Sequence, residues 1–235
     1  MLSYMTSRGI HKISWNIFQV GWILGLLICL AALFLGSGCA KRNLVKESVP
    51  GERWTCDRDA DEALKRRDYG EGILLHQRFL EKEPENALAL YHLGYAYGQT
   101  GNHEKEVFYY ENAVGLGFKK ENIFFNLGMA YGELNRIEEA VSVFKKALDI
   151  NPDSAENHFG LALAYQRSVA DKLAEEEFLR AIKIDPAHVD ARLYLSMLYA
   201  DMGEMQKAAE QLRNILKIDP HNEGAKEFLK RIERE

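Results

Sequence analysis

One spacing constrains this chain more than any other feature. Gly94, Gly128, Ala162 and Ser196 stand 34 residues apart, and Tyr97, Tyr131, Tyr165 and Tyr199 keep the same step three places later. Ala113, Ala147 and Ala181 share it, as do Ala140, Ala174 and Ala208 and the prolines at 84, 152, 186 and 220. A period of this length marks a repeated supersecondary unit that buries its apolar face only against its neighbours. In residues 121–154, Phe124, Leu127, Gly128 and Tyr131 recur at helical spacings of three and four, and Ala140, Phe144 and Ala147 do so on a second helix. Small residues let the two backbones approach, rings fill the space between them, and Pro152, lacking an N–H, stops the second helix. The expected fold is all-α: five helical hairpins at 53–86, 87–120, 121–154, 155–188 and 189–222. A final amphipathic helix in 223–235, with Phe228, Leu229 and Ile232 on one side, covers the open end of the stack.

The 34-residue step with these residue choices resembles the tetratricopeptide repeat, a helix-turn-helix unit. The resemblance implies a right-handed superhelical solenoid whose concave face is built mainly from the first helix of each hairpin. Departures from the pattern single out particular units. In the first, Gly72, His76 and Phe79 replace the usual Ala, aromatic and Ala of the second helix, which reads as an atypical end unit. In the second, Glu106 takes a small-residue place and "GLGFKK" (115–120) replaces the proline turn. The fourth has Arg167-Ser168-Val169 where a turn glycine is usual.

The first 39 residues belong to a different class. No charged residue occurs from Ile13 to Ala40, and Val20 to Leu35 is almost wholly apolar, preceded by Arg8 and Lys12. This pattern is a membrane-targeting segment. Its end, Leu35-Gly36-Ser37-Gly38-Cys39, resembles the lipobox of bacterial lipoproteins, which implies cleavage before Cys39 and lipidation of its thiol. The other reading is an uncut single-pass anchor, since about 20 apolar residues span a bilayer. Residues 40–52 read as a polar linker. Either reading makes the protein membrane-associated, at the cell envelope.

Charge and motifs narrow what the repeat body does. Acidic side chains outnumber basic ones 35 to 30, and five of the bases but only two of the acids precede Arg53. That balance disfavours a phosphate backbone as partner, leaving an RNA-binding helical repeat as a remote alternative. Three cysteines and seven histidines show no metal-ligand spacing, so neither metal nor cofactor is expected. No phosphate loop, nucleophile elbow or metalloprotease motif occurs, and the sequence is read as non-catalytic. Glu138-Glu139 and Glu175 to Glu177 are read as solvated surface, His158 as core and Cys56 as an ordinary half-buried thiol. Function then falls to the concave face. Repeat geometry aims Tyr91, His92, Tyr95, Phe125, Asn126, Met129, Phe159, Leu163, Leu193, Tyr194 and Met197 at it. Their apolar character points to a protein partner, an apolar helix or extended peptide, rather than an acidic tail. The implied role is a membrane-tethered adaptor or scaffold, with a subunit of an envelope-assembly or pilus-biogenesis complex as the alternative.

Overall fold

The computed structural model describes residues 55–234. The expected targeting segment, Cys39 and linker lie outside them. Among the described residues there are eleven α-helices and no strand. They pair as α1 (Arg58–Lys65) with α2 (Tyr69–Leu80), α3 (Ala87–Gln99) with α4 (His103–Gly115), and α5 (Glu121–Glu133) with α6 (Ile137–Ile150). Then come α7 (Ala155–Arg167) with α8 (Asp171–Ile184), α9 (Val189–Asp201) with α10 (Met205–Ile218), and the unpaired α11 (Glu223–Ile232). Each second helix also packs on the first helix of the next hairpin, so the five hairpins and α11 form one stack. None of these helices is long and apolar enough to cross a membrane.

The period becomes a spine. The second helices contribute His76, Tyr110, Phe144, Phe178 and Leu212, again 34 apart, and all five are buried. Opposite them, the first helices offer Ala60, Gly94, Gly128, Ala162 and Ser196, small enough for these large side chains to approach the backbone closely. A Cβ built on Gly128 would come within 2.7 Å of the Phe144 ring, and one on Gly160 within 2.3 Å of the same ring. Phe144 is thus gripped by its own hairpin and the next, which is how one unit's core becomes its neighbour's. The apolar core around Phe178 likewise runs from Phe159 to Ala208, across two hairpins. At the far end, Phe228, Leu229 and Ile232 of α11 pack on Leu212 and Ile215.

Helix ends follow the same register. Asn86, Ser154, His188 and Asn222 each accept a hydrogen bond from the backbone N–H three residues on, starting α3, α7, α9 and α11. Lys120 holds the equivalent place before α5 and makes no such side-chain bond. The turns inside the hairpins place Arg67, Gly101, Asn135, Val169 and Gly203 at positive φ, between 57° and 78°. Val169 at φ 58° is the costly member, because a β-branched side chain crowds the backbone there. In the second unit, Gly117 at φ 95° replaces the proline turn and lets Phe118 fold inward, where its ring stacks on Tyr91 with centroids 5.0 Å apart.

One surface expectation needs correction. Glu177 is buried: its Oε2 lies 2.6 Å from His158 Nδ1 and its Oε1 accepts from Arg180 at 3.0 Å. His158 is indeed interior, but as a polar tie, with Nε2 3.0 Å from the Pro152 carbonyl oxygen. The small-residue place taken by Glu106 is also fully buried, and its Oε2 lies 2.8 Å from His103 Nδ1.

Candidate functional site

The first helices form one face of the stack, α3 touching α5 and α5 touching α7. The eleven residues expected on that face divide by depth. Tyr91, His92, Tyr95, Asn126 and Phe159 are buried. Phe125, Met129, Leu163 and Leu193 are partly covered, and Tyr194 and Met197 stand 36% and 40% exposed. The reason is local packing. Tyr91 is enclosed by Phe118 and Tyr110, Tyr95 meets the edge of Tyr69 at 6.2 Å, and Phe159 lies against Phe178, His188 and Tyr194. Towards the last hairpin the cover thins, and the apolar face opens at Tyr194 and Met197. The partly covered and exposed members thus belong to the third, fourth and fifth repeats.

Polar groups border this strip. Asn122 donates to the Tyr91 hydroxyl at 2.8 Å, while the Nδ2 of Asn126, beneath the same helix, is buried without a partner. Glu156 and Asp190 lie exposed on the same helix row. Partial desolvation by the surrounding protein raises the Asp190 carboxyl from its ordinary value, against the pull of His188.

A second constellation sits in the first repeat, where sequence spacing predicted no ligand set. His92 turns away from the expected groove and places Nδ1 2.8 Å from Asp61 Oδ1 and 3.2 Å from His76 Nε2. His76 Nε2 is 3.3 Å from the same Asp61 oxygen, and its Nδ1 is 2.8 Å from the Gly72 carbonyl oxygen. The Cys56 thiol completes the group, all four ligand atoms lying within 4.8 Å of one another. Burial acts to raise Asp61, but hydrogen bonds from His76 and His92 outweigh it and hold the carboxyl well below its usual range. Burial and the Asp61 charge push the Cys56 thiol up, and burial lowers His92. These residues are 5, 15 and 16 positions apart in sequence, so only folding unites them. The available signal was His76 in a place that the repeat gives to an aromatic ring.

Comparison with known proteins agrees with the fold. The tetratricopeptide-repeat profile matches residues 58–117 and 172–223, and a second TPR-repeat profile matches 128–168. A search of curated protein sequences returns no match. Among solved structures, MamA from Desulfovibrio magneticus RS-1 is similar at 17% identity and TM-score 0.67, over 70% of this chain and 93% of that one. YrrB, described as a TPR protein with an unusual peptide-binding site, is similar at 22% identity and TM-score 0.64, over 73% and 88%. TTC0263 from Thermus thermophilus, a thermophilic TPR protein, gives 22% and 0.60, over 76% and 97%. Repeat period, interlocked hairpins and matched profiles converge: the described body of this chain is a tetratricopeptide-repeat solenoid.

Proposed function

We propose that this chain is an adaptor that takes an apolar helix or extended segment of a partner protein on the first-helix face of its third to fifth repeats, beside a membrane at the cell envelope. The observation that carries the reading is the open apolar strip of Phe125, Met129, Leu163, Leu193, Tyr194 and Met197. Most large side chains of the stack are consumed by packing, and a contiguous apolar strip left on a repeat's first-helix face is a surface for another chain. The peptide-binding site ascribed to YrrB gives the proposal a structural parallel. Membrane attachment rests on the apolar stretch Val20–Leu35 and on lipidation at Cys39, or on the same stretch kept as an anchor. The test is affinity recovery of envelope proteins with the parent chain and with Tyr194→Ala/Met197→Ala. Loss of a recovered partner at unchanged helical circular dichroism supports the site, and undiminished recovery refutes it.

A further inference from the structure

We propose that Cys56, Asp61, His76 and His92 form a four-ligand site for a zinc-class divalent cation, locking the segment that leads into the first helix onto the first three helices. The ligands come from four places in the fold: the leading segment, α1, α2 and α3. In a tetrahedral site with nitrogen and oxygen ligands at about 2.0–2.1 Å, neighbouring ligand atoms stand about 3.3 Å apart. His76 Nε2 lies 3.2 Å from His92 Nδ1 and 3.3 Å from Asp61 Oδ1, so two edges of that tetrahedron already exist. The third, His92 Nδ1 to Asp61 Oδ1 at 2.8 Å, opens by about half an ångström when a cation takes the place of the hydrogen bond.

The protons point the same way. The Gly72 carbonyl only accepts, so His76 keeps a proton on Nδ1, and its Nε2, facing Asp61 and His92, offers a lone pair once a cation replaces the hydrogen bonds there. That backbone contact is the outer-shell bond that orients a metal-ligating histidine. Charge balances as well: one thiolate, one carboxylate and two neutral imidazoles bring two negative charges to a divalent cation. Cys56 is held in place from both sides, since Asn86 donates to the Thr55 carbonyl at 2.9 Å and Asp57 caps α1. His76 is fully buried and His92 nearly so, which with four protein ligands makes a closed, structural site rather than a catalytic one. A sulfur ligand selects the zinc class over magnesium or calcium. The site accounts for the atypical first repeat: at His76 the spine exchanges the usual aromatic ring for a ligand, and the hairpin gains a cross-link.

Cobalt(II) added to the full-length chain in detergent, after stripping with chelator, reads the site directly. The expected result is one cobalt per chain, intense visible bands of four-coordinate cobalt and a near-ultraviolet thiolate-to-cobalt band, all displaced by zinc. The chain has three cysteines, so Cys29→Ser/Cys39→Ser retains the thiolate band and Cys56→Ser abolishes it. Asp61→Asn weakens binding by at least about 10-fold. Zinc raises the melting temperature of the parent and not of Cys56→Ser. A weak six-coordinate spectrum in the parent, or loss of the thiolate band in Cys29→Ser/Cys39→Ser, overturns the proposal without reference to how well any Cys56 or His76 variant folds.

Discussion

Gly160→Ala is the substitution that most sharply separates interlocked stacking from simple adjacency of hairpins. In an ordinary helix interior, alanine in place of glycine stabilises by about 0.5–1 kcal/mol. At Gly160 the new methyl would lie 2.3 Å from Phe144 Cε1, where carbon atoms rest at about 3.5–4.0 Å, so the ring must retreat by more than about 1 Å. It has little room, because Gly128 closes on the same ring, with a built Cβ only 2.7 Å away. Overpacking of this kind costs about 1–3 kcal/mol, so the helix gain is cancelled and the net change is a loss of up to about 2.5 kcal/mol. Gly132→Ala is the control: its nearest neighbour is Arg167 Nη1 at 3.6 Å, an ordinary contact, and it gains about 0.5–1 kcal/mol. Urea unfolding followed by far-ultraviolet circular dichroism gives both values. Adding Phe144→Leu should remove most of the Gly160→Ala cost, a coupling that a double-mutant cycle measures across the junction of the third and fourth repeats. If Gly160→Ala were as stabilising as Gly132→Ala, the ring would not be gripped between hairpins and the packing account would fail.

Other perturbations follow from the same coordinates. Val169→Gly relieves a positive φ that valine tolerates poorly, and net stability rises by up to about 1 kcal/mol after the glycine's own entropy cost; an unchanged or lower urea midpoint contradicts this. Glu177→Ala leaves a buried His158 nitrogen without its carboxylate and costs about 1–3 kcal/mol, checked by the same unfolding assay. Burial, then the like charge of Asp171, raises the Asp201 carboxyl, so this group favours the fold below its unfolded value of about 3.9 and loses that contribution as pH rises through the folded value. Asp201→Asn is therefore more stable than the parent at neutral pH and not below about pH 3, which paired melts at the two conditions resolve. Cys39→Ser abolishes acyl labelling if the lipoprotein reading of the leading segment holds, and a labelled variant refutes it.

The all-α repeat architecture was legible because stacking imposes one small-residue and one large-residue position per 34 residues, and a linear pattern records both. Even the awkward turn at Val169 announced itself, as a missing glycine. What the pattern could not convey was depth on the first-helix face. Tyr91 and Leu193 occupy the same repeat position, yet Phe118, admitted by the glycine turn at 117, covers the first, while the second is only partly covered. Charge was misread for a related reason: Glu177 looks like surface until His158, 19 residues away, is brought against it. The Cys56, Asp61, His76 and His92 cluster is the extreme case, since its members share neither a helix nor a spacing.

The adaptor reading rests on the open strip of the last three repeats, and site-specific photo-crosslinking of the full chain in cells that express it tests that most directly. A photoreactive side chain at Met197, on a first helix, is predicted to form a discrete protein adduct, while one at Leu179, exposed to a similar degree on a second helix, is not. Adducts at Leu179 with none at Met197 would place the partner on the other helices and contradict the account.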